Sequence, residues 1–230
     1  MAQKINPVSF RLGIIQIWDS SIQFYGKSYF IYSFLLFKYL EANKLIKRVL
    51  NSKGFSLNSQ DWKIGKSKTR LSIHYSSLIS NKINIPIFKV IPNVLNNWLS
   101  KKFILALYFN KVEDSLSNNL IVKYAQHLIN LNTPSKKVIW NISRFIKTHL
   151  SCEKIIFYKK GILKIKLRGF KISLTGRLES SKTQMAKNIQ YSEGNLPLNT
   201  LKNYIGYSNN ILYTKNGSCG LKIWLFYEFC

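Results

Sequence analysis

Residues 162–168 read Ile162-Leu163-Lys164-Ile165-Lys166-Leu167-Arg168, apolar and basic in alternation. Successive side chains on a strand point to opposite faces. Leu163, Ile165 and Leu167 therefore take one face, and Lys164, Lys166 and Arg168 the other. Phe170–Leu174 continues the pattern. Further on, Tyr204–Tyr213 and Leu221–Phe229 flank Lys215-Asn216-Gly217, and an Asn-Gly pair between apolar runs signals a hairpin. Upstream the period changes. Lys136–Leu150 reads as a helix that follows Thr133-Pro134-Ser135, with Pro134 near its start. Leu116–Leu131 reads as another, with Leu120, Ile121, Tyr124, Leu128 and Leu131 on one side. From Phe30 to Leu50, Phe30, Phe34, Phe37, Leu40, Leu45 and Val49 recur at helical spacing and form the expected buried stripe. Trp62–Ile64, Arg70–Tyr75 and Phe103–Phe109 read as strands. Pro86 and Pro92 predict that no continuous helix crosses 83–94. The order predicts an α+β chain: a basic extended arm over 1–19, one domain over 20–132, and a strand-rich α/β domain over 133–230.

Composition narrows what such a chain does. Its 230 residues hold 35 Lys and Arg against 9 Asp and Glu, a net charge of +26. At 46% hydrophobic and 14% aromatic the chain can bury a core, so a folded body carries the charge. Like charge repels itself, and a polyanion relieves it. Nucleic acid is the leading partner and an anionic membrane a distant second, although no apolar run reaches the roughly 20 residues of a span. Lys outnumbers Arg 29 to 6, although Arg clamps phosphate better; AT-rich coding, as in an organelle, accounts for that ratio. No presequence or signal core precedes Asn6-Pro7, which fits translation inside the organelle.

The charge is concentrated. Between Lys136 and Leu178 stand twelve basic residues and one acid, Glu153. Lys4, Arg11, Lys136, Lys137, Arg144, Lys147, Lys159, Lys160, Lys164, Lys166, Arg168, Lys171 and Arg177 are the candidate RNA contacts. Same-face strand residues stand about 6.6 Å apart, so Lys164, Lys166 and Arg168 form a row that can follow a phosphate backbone. Trp18, Trp62, Trp98, Trp140 and Trp224 sit among aliphatic residues and are expected in cores, with base stacking by Trp140 the alternative.

Catalysis finds few carriers. Cys152, Cys219 and Cys230 lack metal or disulfide spacing. His74, His127 and His149 lack partners for nucleophilic work, and structural roles are expected for them. No Walker loop, GxGxxG or GxSxG occurs. Glu113-Asp114 is the one adjacent acidic pair, too little for a nuclease or maturase centre. The chain is expected to be no enzyme and to need no metal and no cofactor.

The ends of the chain add a resemblance. Residues 1–15, Met-Ala-Gln-Lys-Ile-Asn-Pro-Val-Ser-Phe-Arg-Leu-Gly-Ile-Ile, with Trp18-Asp19-Ser20, resemble the start of ribosomal protein three of the small subunit, in its bacterial and organellar form. Gly176-Arg177-Leu178, Glu193–Leu201 (Glu-Gly-Asn-Leu-Pro-Leu-Asn-Thr-Leu) and Tyr213–Trp224 are similar to three successive motifs of that family. The resemblance implies a type II KH domain followed by an α/β domain, and no enzyme. It implies a structural constituent of the small-subunit head, near where messenger RNA enters. Small-subunit rRNA, messenger RNA and neighbouring head proteins would be its partners. A KH domain grips single strands with a GXXG loop, and no glycine occurs between Gly65 and Gly161. A degenerate KH-like domain is therefore expected, located in a mitochondrion, with a plastid-type organelle as the alternative. A free-standing KH-type regulator is the alternative function.

Overall fold

The computed structural model describes residues 5–18, 20–22, 29–52, 54–65, 68–77, 85–98, 104–111, 117–150, 152–158, 161–178 and 185–230. The chain forms two compact units, one of Trp18–Asp114 and one of Met1–Ile17 with Ser115–Cys230.

The first unit holds β1 (Ser20–Ile22), α1 (Tyr29–Ser52), β2 (Phe55–Ile64), β3 (Lys68–Ser77), α2 (Ile85–Trp98) and β4 (Ile104–Lys111). Its sheet runs β1-β2-β3-β4; the β2–β3 hairpin is antiparallel and the outer pairings are parallel. Alternation along the hairpin turns Trp62, Ile64, Leu71, Ile73 and Tyr75 into one core with Ile91 and Leu95 of α2. The Trp62 indole is enclosed and still satisfied, its Nε1 donating to Asn43 Oδ1 at 2.7 Å. His74 Nε2 lies 3.4 Å from Asp61 Oδ2.

Two expectations fail here. Helix α1 forms, but the face it buries is Leu35, Ala42, Ile46 and Leu50, while Phe34, Phe37 and Leu40 are 47%, 60% and 49% exposed. Both stripes have helical spacing, so periodicity alone does not choose between them; the sheet does, by packing on one. The second failure is α2, which runs through Pro92. Pro92 has no N–H to offer the Phe88 carbonyl, and burial of Ile91 and Leu95 on either side of it offsets that loss. The remodelled loop expected near residues 76–97 falls partly at 78–84, outside the described residues.

The second unit contains α3 (Asn118–Asn130), α4 (Ser135–Lys147), β5 (Glu153–Tyr158), β6 (Gly161–Gly176), β7 (Lys187–Glu193), β8 (Tyr204–Thr214) and β9 (Gly217–Phe229). The sheet order is β5-β6-β9-β8. Strand β5 pairs with residues 161–166 of β6 and β7 with residues 170–176. Lys215-Asn216 closes the β8–β9 hairpin, as the turn residues predict. Pairing with β9 slips between Leu167 and Gly169, and such a bulge shifts the alternation by one residue. Ile165 and Leu167 face the core before it; Phe170, Ile172 and Leu174 do so after it. The bulge requires glycine. A Cβ at Gly169 would meet the Asn195 carbonyl oxygen at 2.4 Å, and one at Gly194, where φ is +75°, would meet the Arg168 carbonyl oxygen at 2.2 Å.

The expected division near residue 132 is corrected. Helix α3 buries Ile121, Val122, Ala125 and Leu128 with α4 and the second sheet, while Leu131, expected on that stripe, is exposed. Residues 131–134 are the tight connection between two packed helices, with Asn132 left-handed at φ 55° and Pro134 at the N-cap of α4. The expected extended arm is corrected too. Residues 9–11 form a 3-10 turn, and Arg11 is 0% exposed. Arg11 Nε donates to the Asn203 carbonyl at 3.0 Å, Nη1 to Pro7 at 3.0 Å, and Nη2 to Leu198 and Thr200 at 2.9 and 2.6 Å. Gln16 Nε2 donates to the Ile205 carbonyl at 2.7 Å.

Candidate nucleic-acid interface

Helix α4 divides its residues by the 3.6 period. Val138, Ile139, Ile142, Ser143 and Ile146 are buried, which leaves Lys136, Lys137, Trp140, Arg144 and Lys147 on the exposed side. The Arg144 guanidinium carbon stands 3.9 Å from the Trp140 ring centroid. Four residues separate them, one helical turn, and the stacking holds a long cation in place. Trp140 is 52% exposed, so its expected core role is corrected; Trp18 is exposed as well, whereas Trp62 is buried. No acid occurs within α4.

Lys147 differs from its neighbours. Its Nζ lies 2.8 Å from Glu193 Oε2 and 5.7 Å from the Tyr191 ring centroid. The Glu193 hydrogen bond, then the Tyr191 one, raise the ammonium above its ordinary range, and Lys147 in turn lowers the Glu193 carboxyl. This lysine ties α4 to β7.

The strand row exists, but neutralised. Lys164, Lys166 and Arg168 do face away from the core. Lys164 and Lys166 Nζ stand 4.0 and 3.0 Å from Glu153, and Arg168 Nε donates to Glu228 Oε2 at 2.8 Å. Lys166 lowers the Glu153 carboxyl and is itself raised by it. Five side chains thus carry a net charge near +1. Register is the reason: Glu153 and Glu228 both pair with Lys166 across β6, and Glu228 lies 60 residues from Arg168. Lys154, opposite Ile165 on the inner side, has its ammonium lowered by burial.

The remaining candidates scatter. Lys171 stands with its Nζ 5.7 Å from the Trp224 ring centroid, on the sheet face away from the helices. Arg177 is half-buried, and its Nε has no acceptor among the described residues. Arg11 is removed from the candidate contacts, because it is buried and four of its five N–H groups donate to internal carbonyls. Lys4, Lys159 and Lys160 lie outside the described residues. Among the described residues no cluster of His, Cys, Asp and Glu is arranged to hold a metal ion, and no helix is long and apolar enough to cross a membrane. Sequence reasoning passed over Lys222 and Tyr207, which only strand register brings beside Lys171 and Trp224.

Residues 153–225 match the family described as ribosomal protein S3, C-terminal domain. Over the whole chain, small ribosomal subunit protein uS3m of Chondrus crispus is 41% identical across 228 residues, covering 99% of this chain and 94% of that protein. Small ribosomal subunit protein uS3 of Staphylococcus saprophyticus is 28% identical, covering 98% and 93%. The uS3 of Pelobacter propionicus is 27% identical, covering 98% and 96%.

Proposed function

This chain belongs to the uS3 family of small ribosomal subunit proteins, and from that premise we infer that it is a structural, non-enzymatic constituent of a mitochondrial small subunit, held in the head by rRNA. The 41% identity to a uS3m protein supports the mitochondrial placement. Helix α4 is the principal RNA contact, through Lys136, Lys137 and Arg144. The observation that carries this reading is the α4 face itself, where exposed cations flank an exposed Trp140 stacked on Arg144 with no acid on the helix. Phosphate contacts of this kind position a protein without reading sequence. Lys171 and Arg177 add to the same unit's RNA surface; Lys164, Lys166 and Arg168, largely neutralised, contribute less. Messenger RNA, where it enters the subunit, is a second ligand for the α4 face. The Trp18–Asp114 unit is a KH-like fold in which single-strand clamping by a GXXG loop is lost, since that segment of sequence lacks the glycines.

Sedimentation of organelle lysate tests this. The chain should comigrate with small-subunit rRNA through salt that strips loosely bound basic proteins. K136E/K137E/R144E should lower its occupancy in the subunit at least tenfold, and should flatten the dependence of binding on salt. K44E/K47E/R48E, on exposed positions of α1, should change occupancy less than threefold. Equal occupancy of the two triple variants would remove α4 from the interface.

A further inference from the structure

The second unit's sheet has two faces, and only one meets the helices. On the other, strand register builds two adjacent rows. One reads Ser192, Lys171, Trp224, Tyr207 and the next Gln190, Ser173, Lys222, Asn209. With about 4.8 Å between strands, each row spans roughly 14 Å. The Tyr207 and Trp224 rings lie 5.4 Å apart at 43°, and the Lys171 ammonium stands 5.7 Å from the Trp224 centroid. Lys222, Asn209, Gln190 and Ser192 are exposed, and Trp224 and Tyr207 half-exposed. No acid occurs in either row.

We propose that this face is a stacking platform for unpaired nucleotides of RNA, with Trp224 and Tyr207 receiving bases and Lys171 and Lys222 receiving the phosphates between them. The proposal deepens the rRNA reading above and rests on it. Trp224 and Tyr207 lie outside the cluster that the helices cover, and they stay half-exposed although Phe226 and Ile205, next to them on the same face, are buried. Every base has a π-face, so aromatic platforms take single strands with little sequence preference. A duplex hides its bases from such a surface. The lysines favour a polyanion over an uncharged or basic protein segment. Lys171 stands over the Trp224 ring on a flexible stem, so it can turn aside to a phosphate as a base settles on the indole. Asn209 and Gln190 each offer a donor and an acceptor to a base edge.

The full chain is titrated with a single-stranded oligouridine of about eight nucleotides and with a duplex RNA of equal charge. W224L/Y207L keeps apolar bulk and removes the π-faces. It should weaken oligouridine binding about tenfold or more and leave duplex binding within twofold. Unchanged oligouridine binding, or an equal loss for both probes, overturns the platform. K222E sits at an exposed position that folding does not use, and should weaken oligouridine binding about tenfold even if the double variant misfolds. In native small subunits, ultraviolet cross-links from Trp224 or Tyr207 should reach a nucleotide; cross-links to a neighbouring protein instead overturn the proposal. Failure of the wild-type chain to comigrate with small-subunit rRNA overturns the ribosomal function itself. Comigration with unchanged oligouridine binding in W224L/Y207L overturns the platform alone.

Discussion

The two units carry nearly the same charge per residue, +16 over 133 residues in one and +10 over 97 in the other, yet they spend their side chains differently. The unit of 1–17 and 115–230 draws charge inward and across strands. Arg11 clasps four carbonyls, Lys147 holds β7, and Glu153 and Glu228 quiet the β6 row. The Trp18–Asp114 unit instead leaves Phe34, Phe37 and Leu40 of α1 in the open and runs a helix through proline. Net charge therefore says which partner a chain seeks; only placement says which cations remain to meet it.

The largest expected effect breaks the unit of 1–17 and 115–230. R11M strips the donors from the carbonyls of Pro7, Leu198, Thr200 and Asn203 and should cost about 3 kcal/mol. Hydrogen exchange should rise over 5–17 and β8, while β2 and β3 keep their protection; loss of protection in β2 and β3 as well would erase the distinction between the units. Next, P92A restores the missing α2 donor and should stabilise the Trp18–Asp114 unit by about 2 kcal/mol, read by thermal unfolding. A third change works on the other unit from within. K154M replaces a lysine whose ammonium burial disfavours, and should raise its melting temperature by about 2–4 °C. The pH dependence gives the sign. A lysine lowered in the folded state binds fewer protons there, so wild-type stability rises with pH toward 10.5, the ordinary lysine value, and the variant should lose that rise. The smallest effect concerns Glu193, lowered by Lys147. Its contribution is present above the ordinary carboxyl range and lost as pH falls through the folded value. In E193Q melting curves below about pH 4.5 that acid loss should be absent, with neutral stability nearly unchanged.

Most of the second unit was legible because period-two alternation and an Asn-Gly turn are local signals. Strands β6, β8 and β9 fall where the pattern places them. The bulge at Arg168–Gly169 was not legible, since it depends on Gly194 approaching from another segment. The face buried by α1 was hidden for a different reason: its first half is apolar nearly all round, so two stripes competed and a sheet distant in sequence decided. The domain division was misread because a four-residue connection between packed helices has the same composition as a linker. On α4, the exposure of Lys136, Lys137 and Arg144 was readable from helical phase. The quenching of Lys166 and Arg168 was not, because the acids that pair with them arrive by register. Arg11 looked like a surface cation among small and apolar neighbours, and no local feature announces that three of its four partners lie 187–192 residues away.

That separation has a consequence for the order of events during synthesis. Residues 5–17 leave the translating ribosome well before residues 198–205, whose carbonyls Arg11 and Gln16 reach. At about 5–20 residues per second, roughly 10–40 s pass before those partners are made. The Trp18–Asp114 unit has every one of its strands in hand long before then. A segment made early is thus among the last to find its place, and its docking waits until residues 198–203 have been made.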